Sequence, residues 1–181
     1  GDFSSSVDFG GGPLTSSGGS QDVFVVKLDS DGNHLWSRAF GDDAFQLWWG
    51  VAADTDGSVL ITGDHNGTID FGGGPLTSPA GQSHVFLAKL DADGAHVWSR
   101  DFGNGSIQYV SGVTTDTSNS VVVTGYFFGS VDFGGGPLTS IGQADVFITK
   151  LDQSGELAWS KRFGSTSGDG AHGLATDALN N

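Results

Sequence analysis

An all-β fold made of repeated four-stranded units is predicted for this 181-residue chain by three observations. The decapeptide "VDFGGGPLTS" at Val7 returns as "IDFGGGPLTS" at Ile69 and again in full at Val131, each time 62 positions on. Apolar residues alternate with period two in short runs, the pattern of strands, and no window sustains helical periodicity. Asp and Gly cluster between those runs, where turns are needed. Four short strands recurring at a fixed period point to a β-propeller, in about three repeats of 62 residues, either open or part of a larger ring.

Each strand follows from its own residues. Val23, Val25 and Lys27 alternate with Phe24, Val26 and Leu28, "DSDGN" interrupts, and "HLWSRAF" resumes, so Asp22 to Phe40 reads as a hairpin. Pairing Leu28 with Leu35 sets Lys27 opposite Trp36 and Val25 opposite Arg38. "GVAAD" and "SVLITG" form a second pair across "TDG". The hairpin returns from His84 to Gly103 and from Asp145 to Gly164, and the second pair from Gly112 to Gly125. The units divide as a partial blade over 1–49, beginning beyond its second strand, blades over 50–111 and 112–172, and a lone innermost strand within 173–181. Propellers close with about four to eight blades. The chain is therefore expected to be a window on a longer propeller or to assemble with identical copies.

The pattern of "DVFVVKLDSDGNHLWSRAFG", a variable stretch, then "GVAADTDGSVLITG" resembles the bacterial SBBP-type β-propeller repeat of large secreted or surface proteins. The "DFGGGPLTS" connection is similar to versions common in myxobacterial proteins. The resemblance implies a non-enzymatic scaffold for adhesion, assembly or display, at the cell surface or outside the cell, with no agreed catalytic residues. It also implies the order of strands within a blade: "GVAAD" innermost, then "SVLITG", "DVFVVKL" and, outermost, "HLWSRAF".

The triple glycine invites a phosphate-loop reading. The Lys-Ser/Thr and the helix that such a loop requires are both missing. The segment reads instead as the connection between second and third strands, with Gly10 to Gly12 permitting positive φ, Pro13 stopping further pairing and Phe9 plugging a gap at the blade edge.

Composition narrows function further. Seven basic residues against 21 acidic ones, net −14, exclude a nucleic-acid partner, whose phosphates need Lys and Arg. No apolar run is long enough for membrane insertion. The absence of Cys removes disulfides, thiolate metal sites and a cysteine nucleophile. Lys27, Lys89 and Lys150 share one blade position, and Arg38, Arg100 and Lys161 another, two residues after Trp36, Trp98 and Trp159. Such periodicity indicates packing, with cation–π contacts on the shared face. "DSDGN" and "DADGA" resemble the start of a calcium loop but lack its later Glu. They read as hairpin turns, calcium through Asp42 and Asp43 being the alternative. His34 and His96 are equivalent, whereas His65, His84 and His172 occupy unrelated positions without helical metal spacing, and no Gly-x-Ser-x-Gly elbow occurs. No cofactor is therefore expected.

The repeat breaks in "DDAFQLWW" (42–49), "NGSIQYVS" (104–111) and "STSGDGAH" (165–172). Loops on a rigid scaffold carry binding residues. Phe45, Trp48, Trp49 and Tyr109, with Gln46 and Gln108 as amide partners, suit a glycan or a protein surface. In a second reading Trp48 and Tyr109 wedge between neighbouring blades. The alternative function is a propeller enzyme or lectin-like module using this loop face. Glycosylation sequons stand at Asn66 and Asn104.

Overall fold

A computed structural model describes residues 1–18, 20–79, 82–103 and 108–180. The middle blade is a four-stranded antiparallel sheet, in spatial order Gln46–Ala53, Val59–His65, His84–Leu90 and His96–Phe102. The next blade repeats that order with Gln108–Thr115, Val121–Phe127, Asp145–Leu151 and Leu157–Phe163. Before them lies a three-stranded sheet of Asp2–Phe3, Asp22–Leu28 and His34–Phe40. The order within each complete blade is the one expected. The described residues form no closed ring, and no helix among them is long and apolar enough to cross a membrane.

The core lies between blades. Successive side chains of a strand point to opposite faces. In the middle blade Leu60 and Leu87 therefore enter the cluster shared with the third blade, while Ile61, Phe86 and Ala88 enter the one shared with the first. Both central strands of that blade are buried at every position, since each of their faces meets a neighbouring sheet.

Lys27 does pair with Trp36 and Val25 with Arg38. Leu28 pairs with His34, however, and Leu35 is bulged out and exposed, a one-residue shift that recurs at Leu90/His96 and Leu151/Leu157. The turn requires it. Asp29 Oδ1 accepts the amides of Asp31 and Asn33 at 2.9 and 2.8 Å, and Gly32 adopts φ +82° to close the loop. Asp91 and Asp152 cap their turns in the same way.

The decapeptide is more ordered than a connection. Ser6–Asp8 pairs with Pro13–Thr15, and both later copies form the same small hairpin. Pro13 thus opens a strand instead of ending pairing, a place that proline tolerates because its missing N–H is not needed there. Asp8 Oδ1 accepts the amides of Gly10 and Gly12 at 2.7 and 3.1 Å. The plug expected at Phe9 is clearest in the later copies. Phe71 is buried with its ring 4.9 Å from Phe40 in the preceding blade and 5.1 Å from Phe86 in its own. Phe133 does the same between Phe102 and Phe147.

Neighbouring blades are latched by the outermost strand. Trp36 Nε1 donates to Ala92 O at 2.9 Å, and Trp98 Nε1 to Gln153 O at 3.0 Å. Arg100 Nε donates to Gly155 O at 3.0 Å while its guanidinium lies 6.0 Å from the Trp98 ring centre. Lys27 also reaches the following blade, donating to Gly57 O at 3.2 Å and to Ala92 O at 2.9 Å, whereas its two equivalents act within their own blade. Lys89 meets Asp54 and Lys150 meets Asp116, both at 2.7 Å, tying the third strand to the inner turn.

Two boundaries differ from expectation. Asp2–Phe3 pairs with Val23 and Asp22 as the end of a second strand, so the partial blade starts inside that strand. Gly173 to Asp177 forms no ladder among the described residues. The segment still docks in the innermost place. Thr176 Oγ1 donates to Thr115 O as Thr115 Oγ1 donates to Ala53 O, and Asn180 Oδ1 accepts from Thr117 as Asn119 Oδ1 accepts from Thr55.

Candidate functional site

The residues that break the repeat separate into buried and open sets. Gln46 to Trp49 belong to the innermost strand, not to a loop. Gln46 is fully buried, its Nε2 donating to Asp42 Oδ1 at 2.7 Å and to Asn66 O at 3.1 Å. Gln108 is buried at the same position and donates to Ser130 O at 3.4 Å. These amides hold loops together and are not presented to a ligand, because a side chain repeated in both blades serves the packing that both share. The Asp42 carboxylate is likewise engaged, by Ala44 N, Gln46 Nε2 and Thr68 N. Trp48 packs on the core between the first two blades. The sequon at Asn104 lies outside the described residues.

Phe45 and Trp49 are exposed. A bulge between Trp48 and Gly50 turns Trp49 outward, a common device for re-aiming a side chain. Its Nε1 donates to Asp64 Oδ2. Burial pushes the Asp64 carboxyl up to about 7, against the opposing pull of the Trp49 hydrogen bond. On the neighbouring blade Tyr109 packs on Tyr126, ring centres 5.1 Å apart. Trp49, Tyr109, Tyr126 and Ser111 line a cleft of about 300 Å³ that Ala171 and His172 close from the C-terminal side. The cleft draws on two blades and the tail, and none of its rings has a repeat equivalent of the same kind.

A second constellation appears only in three dimensions. His65, His84 and Asp101 come from the second, third and outermost strands of the middle blade. His84 Nδ1 lies 3.1 and 3.0 Å from the two Asp101 oxygens, and His65 Nε2 lies 3.4 Å from Oδ1. Burial pushes the Asp101 carboxyl up, but the hydrogen bonds from His65 and His84 outweigh it and hold the group below its ordinary range. Separations of 19 and 17 residues hide this cluster from a search for metal spacing. Aligning the copies reveals it: the third blade has Phe127, Asp145 and Arg162 at these places, and the first has Phe3, Asp22 and Ala39.

No protein-family model matches the chain. It is 24% identical over 170 residues to the WD repeat-containing protein L264 of Acanthamoeba polyphaga mimivirus, an alignment covering 81% of this chain and 12% of that protein. WD repeats build four-stranded propeller blades. The chain is a β-propeller-like repeat protein. It spans about an eighth of that relative's length, which the 12% coverage expresses. Within the propeller-like array, the aromatic cleft and the histidine cluster are the features that the repeat does not explain.

Proposed function

We propose that this chain is a non-enzymatic binding and assembly module of a secreted or cell-surface bacterial protein, and that its aromatic cleft takes a saccharide. The observation that carries the reading is the convergence of Trp49, Tyr109 and Tyr126 on one cleft. Flat rings stack on the C–H faces of sugars, while the Tyr hydroxyls, Ser111 and His172 supply hydrogen bonds to hydroxyl groups. A glycan array followed by titration calorimetry tests it. Trp49→Ala and Tyr126→Ala should each weaken binding at least tenfold while the melting temperature stays within a few degrees. No binding to any glycan, or hydrolytic turnover of one, would overturn the reading.

Assembly is supported by the blade faces. Phe163 is 50% exposed, whereas its equivalents Phe40 and Phe102 are 8% and 9% exposed beneath a following blade. The Gly94 and Gly155 turns lie under Trp36 and Trp98, but among the described residues nothing beyond its chain neighbours lies within 4 Å of where a Cβ on the equivalent Gly32 would stand. Trp159 and the Gly32 turn are thus the two halves of the same latch, and a further blade or a second copy would join them. Light scattering after size exclusion should give a dimer at micromolar concentration. A monomer there would refute self-assembly of the isolated chain.

A further inference from the structure

We propose that His65, His84 and Asp101 form a binding site for a divalent transition-metal ion of the zinc type, cross-linking three strands of the middle blade. One ligand atom from each residue lies within 4.8 Å of the others. Tetrahedral zinc, with Zn–N and Zn–O distances of about 2.0–2.2 Å, sets ligand atoms roughly 3.4 Å apart. The His84–Asp101 and His65–Asp101 separations of 3.0 and 3.4 Å already approach that edge. Two imidazoles and a carboxylate form a donor set suited to zinc and its neighbours in the transition series.

A purely structural role accounts for only part of the cluster. In the third blade the same two positions hold an Asp145–Arg162 ion pair, so His84 and Asp101 alone would rebuild that pair with its charges exchanged. His65 is superfluous to it. It is fully buried where both other blades place a phenylalanine, Phe3 and Phe127. Burying a polar ring in place of an apolar one costs stability unless the ring is used. The far nitrogens of both rings, His65 Nδ1 and His84 Nε2, are buried without a hydrogen-bond partner among the described residues. In the ion-free chain both near nitrogens donate to the Asp101 carboxylate, and since no partner holds the far nitrogens each ring can carry its proton there instead and turn the near lone pair toward an ion. Gly103 makes the room: a Cβ there would lie 2.2 Å from the His84 ring. Asp101 retains 24% side-chain exposure, which leaves a path for the ion and a fourth coordination position for water.

The test uses the whole chain, freed of metal with a chelator and titrated with zinc by calorimetry and thermal melting. Cobalt substitution reports tetrahedral coordination by its visible absorption. Wild type should bind one ion per chain in the micromolar range or tighter, with a raised melting temperature. Two variants restore residues found in the third blade and so preserve folding: His65→Phe, and the double change His84→Asp with Asp101→Arg. Each should melt near the metal-free wild type and lose zinc affinity at least a hundredfold. Absence of zinc binding by wild type, or equal binding by both variants, would overturn the proposal.

Discussion

Gly32, Gly94 and Gly155 occupy one turn position at φ +82°, +78° and +79°, yet they meet different neighbours. Substituting each by alanine separates backbone strain from packing between blades. A side chain at left-handed φ costs about 1–2 kcal/mol wherever it stands. At Gly32 nothing else is added, since among the described residues no atom beyond its chain neighbours lies within 4 Å of the new Cβ. At Gly155 that carbon would lie 2.8 Å from Trp98 Cδ2, and at Gly94 it would lie 2.9 Å from Arg38 Nε and 3.0 Å from Trp36 Cδ2. Overpacking of this kind costs roughly 1–3 kcal/mol. Trp98 and Trp36 are each held by an indole hydrogen bond, but Trp98 is buried and approached to 2.8 Å, whereas Trp36 is only partly buried, is approached to 3.0 Å, and shares the contact with the flexible Arg38 side chain. The expected order of loss is Gly155→Ala, then Gly94→Ala, then Gly32→Ala, with about 1–3 kcal/mol between first and last. Urea denaturation followed by tryptophan fluorescence and circular dichroism, at concentrations where the chain is monomeric, measures it. Equal losses at all three positions would refute the latch between blades.

The tryptophans themselves should rank alike. Trp98→Ala should cost about 3–5 kcal/mol, as large aromatic truncations in a core do, and Trp159→Ala less than about 1 kcal/mol, the worth of its exposed contact with Lys161; chemical denaturation of the two decides. Burial pushes the Asp116 carboxyl up, but the Lys150 hydrogen bond and the Ser120 and Ser118 amides outweigh it and place the group below its ordinary 3.8. A depressed folded pKa gives stability that is present above pH 3.8 and lost as pH falls through the lower folded value. Urea midpoints measured from pH 5 to pH 3 should therefore fall less steeply for Asp116→Asn than for wild type, and an unchanged slope would count against the pair. Phe163→Ser should shift the size-exclusion profile toward monomer with little loss of melting temperature, because that ring is uncovered within one chain; an unchanged dimer would place the interface elsewhere.

Strand identity and the Lys27–Trp36 register were legible because they depend on local patterns, alternation and Asp and Gly at turns, whereas the order of strands within a blade came only from the resemblance to a known repeat. Copying the patterns three times averaged out their noise. The bulges were not legible, since alternation carries no record of an inserted residue, and this hid the exposure of Leu35 and the membership of Gln46 to Trp49 in the innermost strand. Gln46 reads as a polar loop residue. Its burial rests on acceptors that only the folded chain supplies, Asp42 and Asn66 O. The histidine cluster draws one residue from each of three strands, so it emerges only after register is known. Its trace in the sequence lies in the differences between copies, at the three positions where the middle unit departs from the Phe, Asp and Arg of the third.

The latch between blades has a direction: the outermost strands that carry Trp36 and Trp98 each grip a turn of the following blade. A duplication or loss of 62 residues therefore joins a grip to a turn of the same kind and creates no new sort of junction. Unequal recombination can lengthen or shorten such an array without re-optimising any contact. Selection on the number of units is thereby uncoupled from selection on stability. A side-chain cluster confined to one unit, as His65, His84 and Asp101 are, can be copied whole into another position.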